Sequence, residues 1–323
     1  MSDKLKTQIV SDEDGGLRLD RWFRRYFAHV THGQLQKLLR TGQVRVEGKR
    51  CEASQRLEAG QTIRVPPQIM APPKTAVKKK SQREENDLKK LILYEDDDVI
   101  AFNKPSGLAS QGGSGLKTNL DDMLAALPHK KHGKPRLVHR LDRDTSGVLL
   151  VARTPSAAAR LSEAFRERAT QKIYWALTVG IPKPEQGRID APLIKNGEIM
   201  TVDEKDHEDA KSAVTVYQTV ESAKKLAAFV AMWPITGRTH QLRVHMSYIG
   251  TPLFGDRLYG GEKSLGVPAE ELGKGLHLHA RRLIIPHPRR GTIDIIAPLG
   301  PNMRKTWTWF GFDPNEDVDF SKA

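Results

Sequence analysis

Two aspartates separated by one residue, Asp142 and Asp144, lie in the run His139-Arg140-Leu141-Asp142-Arg143-Asp144-Thr145-Ser146-Gly147. Apolar stretches flank this polar run, Leu137-Val138 before it and Val148-Leu149-Leu150-Val151-Ala152 after it. The second stretch is β-branched and aliphatic and reads as a buried strand. A polar loop entering a buried strand is held firmly at one end, a suitable mounting for a carboxylate that must work in a cleft. Charge alone fits a surface hairpin with scattered ion pairs equally well, since exposed pairs contribute little. The two aspartates have the same chemistry, and local sequence does not choose between them.

The other chemistry-bearing residues mostly exclude functions. Gln111-Gly112-Gly113-Ser114-Gly115 is a flexible loop with Lys117-Thr118 just beyond it, but a nucleotide-binding P-loop needs its lysine directly after the last glycine, and Leu116 intervenes. His240 and His245 are five residues apart rather than the four that place two ligands on one helical face. His277 and His279 can share a strand face, yet no carboxylate or second ligand type accompanies them, so no metal site is expected. The single cysteine, Cys51, excludes an internal disulfide and a cysteine-based zinc cluster. Lys plus Arg number 52 against 39 Asp plus Glu, a net charge of +13, which points to a polyanion partner, most simply nucleic acid. An anionic membrane surface is the competing partner, but no apolar run approaches the length of a membrane span, and the opening MSDKLKTQIVSDEDGG lacks the apolar core of a secretory signal. A cytoplasmic location is expected.

The elements that must position these residues fall into two parts. Residues 1–14 read as a polar tail, and residues 15–66 as a compact basic unit. Trp22, Phe23, Tyr26 and Phe27 form one apolar helical stripe. Thr31 with Gln34 three residues on forms a capping box for a second helix, whose buried face is Leu35, Leu38 and Leu39 and whose end suits Gly42. Val44 and Val46, then Thr62-Ile63-Arg64-Val65, read as strands. This unit carries 11 Lys/Arg against 4 Asp/Glu, and Arg18, Arg21, Arg24, Arg25, Lys37 and Arg40 fall on its helices. They are candidate RNA contacts, or simply a solvated face. Residues 67–90, with three prolines, Pro67, Pro72 and Pro73, just after Pro66, and then Lys78-Lys79-Lys80, show no apolar period and read as a basic linker. Residues 91–314 form a second domain, and residues 315–323 a closing tail. In it, Leu91 to Tyr94, Val99 to Phe102, Gln171 to Gly180, Val214 to Val220, Leu226 to Trp233 and Ile293 to Ile296 read as strands. Helices start at Thr154-Pro155 and near Thr239. In the latter helix Leu242, Met246 and Ile249 make the core stripe, which leaves Arg243 to face a cleft. Strands outnumber helices without alternating with them, so the domain is α+β with a largely antiparallel sheet.

Three segments, HRLDRDTSG, KIYWALTVG and TGRTHQLRVH, together with the turn Asn103-Lys104-Pro105-Ser106-Gly107, resemble in order and spacing the motifs of the RluA-type pseudouridine synthase family. The first unit, through Thr41 to Lys49 and Leu57 to Gln61, resembles the S4 RNA-binding domain that often precedes it. The resemblance implies a pseudouridine synthase fold, with a mixed and largely antiparallel sheet, and isomerisation of uridine so that the ribose bonds to C5 of uracil in place of N1. It implies no cofactor and no metal. The form of HRLDRDTSGVLLVA and the upstream glycine loop point to large-subunit ribosomal RNA, or its assembly intermediate, as partner. Transfer RNA is the alternative substrate, and a non-catalytic RNA-binding or ribosome-assembly role the alternative class. Carried residue by residue, the resemblance makes Asp142 the catalytic carboxylate, as nucleophile, base or electrostatic stabiliser. It makes Arg243 the arginine that pairs with it, Tyr174 the ring that stacks on the target base, and Arg140 the side chain that enters the space left by a flipped nucleotide. His139 is expected to order the loop through hydrogen bonds.

Overall fold

The computed structural model describes residues 6–27, 29–70, 82–112, 118–127, 133–261, 265–318 and 320. The chain divides into two compact units, Met1–Lys79 and Lys80–Ala323.

In the first unit, Lys6–Ile9 pairs antiparallel with Thr62–Val65, which pairs in turn with the two-residue strand Arg45–Val46. The helices Leu19–Tyr26 and His32–Arg40 share a core with this sheet, where Trp22, Phe23, Phe27, Leu35 and Leu39 meet Val44, Val46, Ile63 and Val65. The second helix starts as its sequence dictates: the Thr31 hydroxyl accepts from the Gln34 amide at 3.3 Å, and the Gln34 side chain accepts from the Thr31 amide at 2.8 Å. Two expectations fail. Tyr26 leaves the apolar stripe; it is exposed, and its hydroxyl donates to the buried Asp14 carboxylate at 2.5 Å. The tail expected over residues 1–14 is a strand from Lys6 to Ile9, and Ser11 and Arg25 also bond Asp14. This strand is held by backbone bonds along a sheet edge rather than by an apolar face, so hydropathy gives no sign of it.

The 67–90 linker expectation is corrected at both ends. Pro67–Ile69 forms a short 3-10 turn and Gln82–Lys89 an α-helix, while residues 71–81, including the lysine run, lie outside the described residues. Among its described side chains the helix buries Leu88 completely, in a cluster with Ile100, Phe102 and Leu120. A solvated helix with a single anchor has no apolar period to read, and its Glu85–Lys89 pair is the ordinary i,i+4 kind. The 315–323 tail is corrected too, because Val318 and Phe320 are buried in the main core, with Phe320 edge-on to Trp233.

The second unit is built on a ten-stranded sheet. Its order runs Ile92–Glu95, Val99–Lys104, Ser146–Ala152, Leu278–Pro286, Gln171–Val179, Ala227–Pro234, Val214–Ala223 and Gln186–Asp190, with Thr292–Ile296 on the fourth strand and Arg136–Leu137 on the third. All pairs are antiparallel except Ser146–Ala152 with Leu278–Pro286, which meet in parallel over His279↔Ser146 and Ala280↔Gly147. The sheet is thus mixed and mostly antiparallel, as expected. That seam requires a glycine: Gly147 has φ +109, and a Cβ there would lie 2.2 Å from the Ala280 carbonyl oxygen. On its other edge the same strand pairs Ala280 with Tyr174. A hairpin of Leu193–Asn196 with Ile199–Val202 and the helix Pro301–Phe310, whose Trp307 is wholly buried, complete the unit and were not anticipated.

Candidate active site

Asp142 sits in the irregular loop that leads into Ser146–Ala152, and that loop is tied down from behind. The Ser110 hydroxyl donates to the Leu141 carbonyl at 2.6 Å and accepts from the Leu141 amide at 3.1 Å. The Gly107 amide donates to the Arg143 carbonyl at 2.9 Å, and the Ser106 hydroxyl to the Asp144 carbonyl at 2.8 Å. Lys104 is fully buried, and its ammonium donates to three carbonyls, those of Pro105, Leu108 and Arg143, at 2.8–3.0 Å. Burial pulls its pKa down to about 8, with Asp144 and Asp142 acting in the opposite direction. His139 anchors the loop's start. Its Nε2 accepts from the Leu150 amide at 2.8 Å, and its ring stacks on Phe165 at 4.4 Å. Burial, with Lys172 nearby, lowers its pKa to about 3, so this imidazole stays neutral.

The two aspartates now part company. Asp144 is clamped by Arg143 through two bonds of 3.0 and 3.1 Å. Asp142 faces a cleft of 770 Å³ and is the one carboxylate among its lining residues, whereas six cations line it: Arg140, Arg166, Arg168, Lys172, Arg238 and Arg243. No hydrogen bond joins the Asp142 carboxylate to any described residue; Nε2 of His240, an imidazole whose pKa burial lowers, lies 3.9 Å away. A carboxylate left unsaturated in a cationic cleft can accept a proton, stabilise positive charge or attack carbon.

Tyr174 lines the same cleft from Gln171–Val179, while Trp175, on the opposite face by strand alternation, is buried against Trp307. Burial and the nearby Asp142 push the Tyr174 hydroxyl pKa up, which keeps it protonated. Arg140 also lines the cleft; it is exposed, and no described residue holds it.

Arg243 departs from expectation. It is buried rather than free, and its guanidinium grips Asp256, not Asp142, in a bidentate pair of 2.7 and 2.8 Å. Burial opposes its charge, but the Asp256 bonds outweigh this and hold its pKa above the ordinary arginine value; Asp142 adds a smaller contribution of the same sign. The helix Gln241–Tyr248 has Arg243 beside the cleft, but the loop after it supplies a nearer carboxylate. Asp256 is fixed in its turn by the Leu258 and Tyr259 amides at 3.0 and 3.2 Å, and Arg243 lies over the Tyr259 ring at 5.0 Å. The Tyr259 hydroxyl accepts from the Met200 amide and shares a 2.8 Å bond with Nδ1 of His240. His240 therefore links this locked cluster to Asp142, from a left-handed backbone position (φ 55) at the helix start.

Sequence reasoning brought Asp142, Tyr174, Arg140 and Arg243 to one cleft but missed Lys104, Asp256, His240 and Tyr259. For Lys104 a signal existed, a lysine ending the apolar run Val99-Ile100-Ala101-Phe102. For Asp256 and Tyr259 none did, because their partners come from other elements. The histidines are structural: His277 bonds Gly275 and Thr306, His279 bonds Ser146 and Ala297, and His245 bonds Thr215 and Ala191. Asp96, Asp98 and His287 form the one metal-like grouping among the described residues. Its ligand atoms already bond Tyr94, Arg289 and backbone amides.

In the first unit the six candidate cations divide. Arg18 pairs with Asp20 and Arg25 with Asp14, whereas Arg21, Arg24, Lys37 and Arg40 are exposed and have no partner among the described residues.

Residues 98–248 match the family model described as RNA pseudouridylate synthase. The chain is 39% identical over 310 residues to the ribosomal large subunit pseudouridine synthase C of Vibrio vulnificus, covering 94% of this chain and 96% of that one. This chain belongs to the RNA pseudouridylate synthase family. It is also 38% identical over 311 residues to the synthase C of Escherichia coli K12, with 93% and 95% of the two chains covered. Among solved structures, human RNA Pseudouridylate Synthase Domain Containing 4 superposes with a TM-score of 0.60 at 30% identity, over 70% of this chain and 95% of that one. The protein is accordingly a pseudouridine synthase, an isomerase acting on RNA, and every lining residue of the cleft holding Asp142 except Leu278 lies within the matched region.

Proposed function

We propose that this pseudouridine synthase modifies uridines of large-subunit ribosomal RNA, with Asp142 as its catalytic carboxylate. The observation that carries the assignment is that, among the described residues, Asp142 alone supplies a carboxylate to the cationic cleft and its side chain takes no hydrogen bond there. The ribosomal substrate is supported by the names of the relatives matched along most of their length. Tyr174 receives the face of the flipped uracil. Arg140, planar and without a partner among the described residues, fills the gap left in the RNA. Arg243 acts on Asp142 through field rather than contact, since its own hydrogen bonds are taken by Asp256. The first unit, through Arg21, Arg24, Lys37 and Arg40, holds folded RNA by its backbone, in the manner of an S4 domain.

The test is pseudouridine mapping of large-subunit ribosomal RNA in cells lacking the protein, cells carrying it, and cells carrying Asp142→Asn. Sites lost on deletion and restored by wild type alone support the proposal. Restoration by Asp142→Asn removes the aspartate assignment. An unchanged ribosomal map with altered transfer RNA moves the substrate, not the chemistry.

A further inference from the structure

In the strand segment that carries Tyr174, strand alternation puts Lys172 on the same face, about 7 Å along, whereas Ile173 and Trp175 point into the core. Lys172 lines the cleft, and its ammonium has no hydrogen bond or ion pair with any described residue. Gly237 passes so close that a Cβ there would lie 3.8 Å from Nζ. Arg168, exposed and in the left-handed region (φ 60) of the turn before this strand, lines the same wall. Burial and the Arg168 charge both lower the Lys172 pKa, and no carboxylate offsets either. A half-buried ammonium that feels a neighbouring guanidinium and no offsetting carboxylate is a cost the free protein bears. An anion entering between the two would remove both penalties at once.

We propose that Lys172 and Arg168 bind a backbone phosphodiester of the RNA strand adjoining the uridine stacked on Tyr174. This rests on the reading of the cleft as the uridine site. The lysine supplies a point charge and the arginine a fork, so the phosphate is held from two directions. The site fixes the strand's position relative to Tyr174 and takes no part in bond breaking.

The experiment uses the full chain and a large-subunit ribosomal RNA transcript in single-turnover assays, comparing wild type with Lys172→Met, Lys172→Arg and Arg168→Gln. Lys172→Met is expected to raise the half-saturating RNA concentration roughly tenfold, as loss of one charge-assisted contact does, with the saturating rate unchanged. The salt dependence of binding should become shallower by about 0.7 in log–log slope, the share of one phosphate on a single strand. Lys172→Arg should restore most of the affinity, and the thermal midpoint of free Lys172→Met should not fall, because an uncompensated charge has been removed. Arg168→Gln, at an exposed position, should repeat the affinity and slope changes on a smaller scale. A reduced saturating rate with unaltered affinity overturns the proposal, as does an unchanged salt slope in Arg168→Gln, which stands even if Lys172→Met fails to fold. Failure of the underlying reading looks different, because wild type would then make no pseudouridine in the transcript.

Discussion

The two walls of the cleft use charge in opposite ways. On the wall of loop 139–145, the Asp142 and Arg140 side chains face the cleft with no hydrogen bond to any described residue, while the backbone behind them is bonded at nearly every step by Lys104, Ser106, Gly107 and Ser110. On the wall of helix Gln241–Tyr248, Arg243 is consumed by Asp256, and Tyr259 is held by Met200 and His240. One wall presents reactive groups on an over-tied frame, and the other is frame throughout. A charged residue placed beside the cleft by its motif is not thereby a reacting group; the partners it has already taken decide.

The largest effect that would sharpen this contrast is on rate. Asp142→Asn should lower single-turnover isomerisation by roughly 1,000-fold while leaving RNA affinity and the unfolding midpoint near wild type, as measured by filter binding and calorimetry. Arg243→Met should instead act on stability. It strands the buried Asp256 carboxylate and should cost about 3–5 kcal/mol in urea unfolding; an unaltered midpoint would break the comparison. Lys104→Met removes three bonds from a fully buried ammonium to part-buried carbonyls and should cost about 2 kcal/mol, with a loss of rate as the Asp142 loop loosens.

Acid should weaken the frame in a defined window. His277 and His279 are buried, and burial lowers each pKa from 6.5 to about 4. Between those values the unfolded chain binds the proton and the folded chain does not, so stability is full above pH 6.5 and declines as pH falls toward 4. Each histidine contributes a slope of about 1.4 kcal/mol per pH unit, which a pH series of urea midpoints reads directly. The smallest effects belong to the first unit. Replacing Arg21, Arg24, Lys37 and Arg40 together by Gln should reduce the salt slope of RNA binding by about 3, whereas Arg18→Gln should change it little, since Asp20 already holds Arg18.

What was legible in the sequence followed periodicity and capping. The Thr31 capping box, the buried run Val148 to Ala152, the alternation that sets Tyr174 against Trp175 and the largely antiparallel character of the sheet could all be read because each rests on near neighbours or on a repeating pattern, whereas the mixed sheet was implied by the family resemblance. What was hidden depended on distant partners. Lys6–Ile9 and Gln82–Lys89 are polar segments recruited by a sheet edge and by one leucine. Val318 and Phe320 are too few to form a pattern. Arg243 shows the same limit within the site: its place beside the cleft was readable, but its partner Asp256 comes from the loop beyond the helix.

The pairing of Ala280 with Gly147 on one side and with Tyr174 on the other has a mechanical consequence. One residue of one strand serves as common datum for the loop that ends in the acid and for the strand that bears the ring. The spacing between carboxylate and aromatic face is thus a gauge cut into the sheet, and neither jaw can be reset without tearing the seam that Gly147 closes. On the proposed roles of Asp142 and Tyr174, the adjustment during isomerisation falls to the nucleotide, with the uracil turning between jaws held at that spacing.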